Sequence, residues 1–241
     1  LVMPKQIIYL LKTLSPFDFI LRSNFVKSYL KEQLPDATRI DIGFKMGGGA
    51  SIGTTKTLIE GLGKGGFVRE NHKLKPVSNA YKYKLLSFPS GNKWAMSIPW
   101  GDVFTGGIST NVPNGLVYLV MPKQIIYLLK TLSPFDFILR SNFVKSYLKE
   151  LVNKKFKITG PQKTIREKTN SEFWGEAENQ KGDKINYTLT TQNGYTLTAE
   201  AAVKLTKYCL NAENKSGYFT PSMLVGSSFI NEISETRIKK I

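Results

Sequence analysis

The first 32 residues of the chain, Leu1 to Glu32 (LVMPKQIIYLLKTLSPFDFILRSNFVKSYLKE), recur unchanged as Leu119 to Glu150. This constrains the fold more than any other feature, because identical side chains must satisfy two different surroundings. Helix stability in proteins comes mainly from packing an apolar face, so identical sequence does not require identical structure. Structural repeats drift except at structural positions. A perfect copy therefore marks a duplication or an assembly joint rather than an architectural period.

The second copy has the better context. It follows a strand-like run, Gly115 to Met121, and Pro122 falls where a first helical turn tolerates proline. Lys123 to Leu132 sets Ile125, Ile126, Leu128, Leu129 and Leu132 on one broad face. Ser133-Pro134 breaks the helix, and Phe135 to Leu151 resumes the pattern with Ile138, Leu139, Phe143, Tyr147 and Leu148. The reading is an amphipathic helical hairpin, present twice in the sequence. The second copy is expected to dock with Ile125, Leu128, Leu129, Phe137 and Leu139 buried. The first lacks the preceding strand, so Ile7, Leu10, Leu11, Phe19 and Leu21 are expected to be more exposed. Residues 1–32 thus read as a poorly packed hairpin, and residues 33–241 as the main domain.

The main domain has the means to form a core: 41% of the 241 residues are hydrophobic and 22% charged, which excludes a disordered chain. Thr38 to Met46 alternates as a strand, and Ser51 to Glu60 reads as a helix capped by Ser51 or Thr54. Gly66 to Glu70, Tyr81 to Phe88 and Lys93 to Ile98 read as strands. Trp100 to Thr110 reads as a Gly-rich connection, and Asn153 to Lys168 as a basic connector. Ser171 to Thr191 reads as a hairpin in the same sheet as Thr38 to Met46 and Gly115 to Met121. Thr198 to Leu210 reads as a helix capped by Thr198, with a shorter helix after Pro221. The fold class expected is α+β, a mixed, mostly antiparallel sheet covered by helices.

Composition narrows the chemistry. One cysteine, Cys209, excludes an internal disulfide, and one histidine, His72, excludes a multi-histidine metal site. Cys209 sits on an apolar helix and reads as core. The formal net charge is +16, but 28 of the 34 basic residues are lysine. Arginine is the better residue for bidentate phosphate contacts, so nucleic acid is not an expected partner. No apolar run approaches the roughly 20 residues of a membrane span and no signal peptide is visible, so a cytoplasmic location is expected.

Two glycine-rich runs imitate phosphate cradles. Gly61 to Gly66 (GLGKGG) fits a dinucleotide fingerprint, yet a helix precedes it and a strand follows, the reverse of what the cradle requires. Gly48 to Thr55 has P-loop spacing with Thr54 where the lysine belongs. Asp102 could act as acid, base or ligand-orienting carboxylate, or simply fold a turn by bonding its own backbone.

Ile98 to Asn114 (IPWGDVFTGGISTNVPN) resembles the saccharopine dehydrogenase-like oxidoreductases, including the trans-acting enoyl reductases. Four further runs agree in order: Gly49 to Gly66, Phe173 to Asn179 (FWGEAEN), Asn193 to Leu205 (NGYTLTAEAAVKL) and Gly217 to Gly226. The resemblance covers about residues 34–235 and implies a substrate and dimerisation domain. Against the family's pattern, the duplicated segment is expected to stand where an N-terminal NAD(P)-binding half would precede this domain. It implies NAD(P) chemistry for an intact member, no cofactor in this chain, and little activity from the chain alone. The intact relative would reduce a C=C or C=N bond of a hydrophobic or carrier-bound substrate. Substrate-facing candidates are Trp100, Asp102, Ser109, Thr110 and Asn114, with Tyr195 and Thr198 near the interface with the absent half. A homodimer is an expected partner. The alternative is a non-catalytic peripheral membrane or lipid-associated module, because residues 121–168 hold 11 Lys/Arg against three Asp/Glu beside an apolar face, which suits an acidic membrane surface.

Overall fold

Strand β1 (Ala37–Lys45) organises the molecule: Ile40, Ile42 and Phe44 point to one face of the sheet and Asp41 and Gly43 to the other. The computed structural model describes residues 19–49, 51–155, 161–211, 217 and 219–241. In chain order the remaining elements are α1 (Phe19–Gln33), α2 (Ile52–Gly61), β2 (Gly66–Glu70), β3 (Lys73–Val77), β4 (Tyr83–Phe88), β5 (Gly91–Ser97), α3 (Asp102–Thr110) and β6 (Val117–Val120). They are followed by α4 (Lys123–Leu132), a 3-10 turn (Ser133–Phe135), α5 (Asp136–Arg140), α6 (Asn142–Lys155) and α7 (Lys163–Lys168). The last are β7 (Ser171–Asn179), β8 (Lys184–Thr191), α8 (Gly194–Asn211), α9 (Pro221–Val225), a 3-10 helix (Ser227–Glu232) and β9 (Arg237–Lys240).

Seven strands form one sheet in the order β4-β5-β6-β1-β7-β8-β9. Only β1 and β6 run parallel, with Ile42 opposite Val117; every other pair is antiparallel. The β7–β8 hairpin thus shares a sheet with β1 and β6, as the alternation predicts. Helices cover the face bearing Ile42, Phe44, Val117 and Phe173, where they bury Phe25, Val26 and Leu30 of α1, Val103 of α3, and Leu197 and Leu205 of α8. Each such side chain contributes about 1.5–3 kcal/mol on leaving water. On the other face the sheet curls, and Leu86 of β4 occupies the space a side chain at Gly43 would need. A second core of Leu86, Phe88, Leu116, Tyr118 and Trp174 fills the curl.

Three local readings change. Within the expected connector 153–168, residues 153–155 extend α6 and Lys163–Lys168 form α7. Residues 102–110 form helix α3 rather than a connection. Helix α8 begins at Gly194, four residues before Thr198. Asn71 and His72 form the exposed tip of a two-stranded β2–β3 hairpin and take left-handed backbone angles (φ 49° and 64°), as a tight hairpin turn requires.

The helical hairpin expected of each copy is not confirmed. The first copy is described from residue 19, where α1 runs unbroken; the second forms α4, the 3-10 turn, α5 and α6, with an extended residue at Ser141 between the last two. Ile7, Leu10 and Leu11, and the side chains of Phe19 and Leu21, lie outside the described residues. The burial expected of the second copy is corrected. Ile126 is its buried anchor, Leu129 and Leu139 are half-buried, and Ile125, Leu128 and Phe137 are exposed. The expected burial failed because α4 rests one narrow edge on β5 and the broad apolar face looks outward. Within α1, by contrast, Phe25, Val26 and Leu30 are core. No described helix is long and apolar enough to cross a membrane.

Candidate functional site

One end of the sheet gathers the motif-bearing loops. β1 ends there, β7 starts there and β8 ends there, and helices α2 and α8 both begin there, directing the positive ends of their dipoles toward the loop at Gly47-Gly48-Gly49. Asn193, fully buried, ties the loops together. Its amide nitrogen donates to the Gly47 carbonyl (2.9 Å) and to Thr169 Oγ1 (2.8 Å), and its amide oxygen accepts from the Tyr195 backbone N–H (3.0 Å), capping α8. Gly47 must be glycine, because a Cβ there would strike the Asn170 carbonyl; Gly48 and Gly49 adopt φ of +74° and +83°. Ser51 caps α2 by accepting the Thr54 N–H at 3.1 Å. The Tyr195 hydroxyl accepts the Ser51 backbone N–H (2.8 Å) and lies 3.3 Å from Thr54 Oγ1, itself 3.0 Å from Ser51 Oγ. Three hydroxyls, a left-handed glycine loop and two helix starts thus share one place. Such an array can orient a carboxylate or a polarised carbonyl oxygen.

A second polar cluster lies around α3. Asp102, in its first turn, is wholly buried, and Lys27 of α1, also buried, donates to the Asp102 backbone carbonyl at 2.7 Å. Burial brings the Lys27 ammonium down to about 8, with Arg69 adding to the fall and Asp102 and Asp41 opposing it. The consecutive glycines of α3 explain the approach: a Cβ at Gly106 would meet the Lys27 side chain, and one at Gly107 the Arg69 guanidinium. On the same helix Ser109 Oγ lies 2.7 Å from Thr220 Oγ1, which continues to Ser222 Oγ (3.3 Å) and to Ser28 of α1 (3.1 Å).

The candidates from sequence therefore divide. Tyr195 joins the glycine-loop cluster, and Asp102 and Ser109 the α3 cluster. Trp100 is half-buried with its ring edge-on to Phe44 at 5.5 Å. Thr110 and Thr198 bond back to carbonyls of their own helices, and Asn114 links the Thr38 carbonyl to the Asn71 N–H. Sequence reasoning missed Lys27, Asn193 and Thr220. No local signal marked Lys27, because the helix holding Gly106 read as a connection; Asn193, just ahead of the α8 pattern, had the form of a cap.

Gly61 to Gly66 does not fit a dinucleotide. The run leaves the C-terminus of α2 and enters β2, and Cβ atoms at Gly63 and Gly65 would lie 2.5 and 2.6 Å from the carbonyls of Asp136 and Val77. Those glycines serve close packing against backbone. Cys209 is half-buried, against the expectation of a core residue, and burial pushes its thiol up. An open groove of about 470 Å³ lies elsewhere, on the curled side, between Arg39, Lys82, Lys84, Tyr118 and Glu176, and contains none of the sequence candidates. Among the described residues no group of three metal-ligating side chains occurs.

No family model and no curated protein matches the chain. Solved structures do. Apo histidine-tagged saccharopine dehydrogenase (L-Glu forming) from Saccharomyces cerevisiae matches with a TM-score of 0.53 at 10% identity, over 92% of this chain and 72% of that one. At that identity the likeness shows a shared fold: the chain has a saccharopine dehydrogenase-like fold.

Proposed function

We propose that this chain is the substrate-side domain of an NAD(P)-dependent oxidoreductase of the saccharopine dehydrogenase-like type, with the substrate held at the glycine-loop end of the sheet. One observation carries the reading. The runs GGGASIGTT and NGY, far apart in sequence, meet through the Tyr195 hydroxyl and the Ser51 N–H at 2.8 Å. They meet where two helices begin. The fold likeness to saccharopine dehydrogenase supports the same reading.

In this arrangement the chain binds and orients. The starts of α2 and α8 favour an anionic or polarised oxygen, and Tyr195, Ser51 and Thr54 supply hydroxyls within one side chain of it. The nicotinamide would supply the hydride chemistry. Because Gly61 to Gly66 does not form its cradle, no step is assigned to it in this chain.

Calorimetric titration with L-saccharopine and with a 2-enoyl thioester tests the reading. One of these probes is expected to bind, and Tyr195→Phe to weaken it about tenfold, roughly 1.4 kcal/mol. NADPH is expected to show no dissociation constant below about 10 μM, near −7 kcal/mol. Neither probe binding, or NADPH binding alone, contradicts it.

A further inference from the structure

The duplicated segment supplies two copies of one helix face with opposite fates. In α1, Phe25 stacks on Phe229 with ring centroids 5.4 Å apart, Leu30 fills the space left by Gly175, and Lys27 reaches Asp102 past Gly106. The groove that receives this face is formed by α3, α9, the Ser227–Glu232 turn and strands β1 and β7. In α6 the identical residues are Phe143, Lys145 and Leu148. Phe143 is 81% exposed where Phe25 is 2% exposed, and Tyr147 and Phe137 are exposed beside it. Lys145 and Lys149 fasten α6 to the C-terminal end of α2 through Glu60, so α6 is attached by its lysines while its aromatic side faces outward.

We propose that the outward face of α6 is a docking surface for a second copy of this chain, whose α1 groove it enters in place of α1. The fit follows from sequence identity. Residues 142–150, which lie in α6, repeat residues 24–32 without change, so the contacts that Phe25, Val26, Lys27 and Leu30 make in the groove can be made by Phe143, Val144, Lys145 and Leu148. Charge agrees as well: once Lys145, buried in the free chain, leaves the Glu60 carbonyl, it brings to the Asp102 carbonyl of the second molecule the same ammonium that Lys27 provides. The exchange is reciprocal in form, a domain swap between identical elements. What opposes it is tethering. α1 is joined to β1 by residues 34–36 alone, and a short tether acts as an effective concentration of order mM. Exchange therefore grows as the chain concentration approaches that range.

Disulfide trapping in the full chain tests this. Ser28 Oγ and Ser222 Oγ lie 3.1 Å apart, so in a Cys209→Ser background the pair S28C and S222C reports α1 in its groove by an intramolecular bond. The pair S146C and S222C reports the second copy in that groove, because Ser146 is the counterpart of Ser28 and Ser222 is buried. The expected result is a disulfide-linked dimer from the second pair, with a linked fraction that rises with concentration from about 10 μM to about 1 mM, the range set by the tether. Adding Phe143→Glu at its exposed position should remove the link at least tenfold while leaving the circular dichroism unchanged. Absence of the link up to that concentration, a link indifferent to Phe143→Glu, or a link formed only within one chain would overturn the proposal. Should S222C prevent folding, sedimentation of the unmodified chain against Phe143→Glu decides: dimer for the first and monomer for the second is required. Loss of binding to anionic phospholipid vesicles in Phe143→Glu, with both chains monomeric, would assign the face to a lipid surface instead.

Discussion

Lys27 shows how far a single residue can depart from its sequence expectation. Lysine on an amphipathic helix is normally a solvated residue, yet here it is buried because Gly106 in α3 has no side chain to block it. Mid-helix glycine costs about 1 kcal/mol against alanine, which is why residues 102–110 read as a connection. The same blindness hid the Lys27–Asp102 pair: nothing near either residue in sequence names the other. Its consequence is measurable. The folded ammonium lies at about 8, below the unfolded value of 10.5, so between these pH values the unfolded chain binds more protons. Stability from this group therefore rises with pH across that window, by about 3 kcal/mol. Denaturant unfolding of the parent and Lys27→Met from pH 8 to 10.5 should show the parent gaining on the variant; a constant difference would mean the ammonium is not perturbed. Glycines themselves divide by what surrounds them. A Cβ at Gly115 would lie 2.5 Å from the Ile40 carbonyl, which cannot rotate away, whereas at Gly49 there is open space and only φ of +83° to satisfy. Gly115→Ala should cost several kcal/mol and Gly49→Ala about 1 kcal/mol in the same unfolding experiment.

At the scale of elements the repeat is an internal control on how sequence sets structure. Residues 19–32 form one helix, and the same residues at 137–150 are split at Ser141, whose ψ of 132° lets Arg140 reach the Gly63 carbonyl at 2.6 Å. Local preference is equal by construction, so the surroundings alone decide between continuous and broken helix. One substitution should then act differently in the two places. Ser23 is inside α1, where alanine is the better helix former by about 0.5 kcal/mol. Ser141 occupies the position before α6 and its carbonyl accepts the Lys145 N–H at 3.1 Å, so alanine there forfeits a cap preference of about 1 kcal/mol. Opposite signs for Ser23→Ala and Ser141→Ala in thermal unfolding are expected; equal effects would deny the difference. Elements with a regular apolar period in sequence were legible: β1, the β7–β8 hairpin and α2 follow alternation or helical spacing and a serine cap. β3 and β9 were not, because they are short, exposed edge strands whose Lys-rich sequences, KLKPV and RIKK, carry no alternation.

For the whole molecule, the curled sheet with helices on one face is the frame that brings Gly47, Ser51, Asn193 and Tyr195 together from segments about 145 residues apart. The candidate site was half legible. Glycine runs and the NGY element stood out individually, but their meeting depends on the register in which β1 pairs with β7, which no local pattern states. The open charged groove on the curled side was not legible at all, being assembled from four different strands and a loop. If the glycine-loop end holds substrate, occupancy must be felt there first. An amide-resolved NMR titration of the chain with the substrate probes, followed by NADPH, tests this most directly. Substrate is predicted to shift the amides of Gly47, Gly48, Gly49, Ser51, Thr54 and Tyr195, with NADPH leaving Gly61 to Gly66 unmoved. Shifts confined to Arg39, Lys84 and Tyr118, or a response of Gly61 to Gly66 to NADPH, would contradict the account.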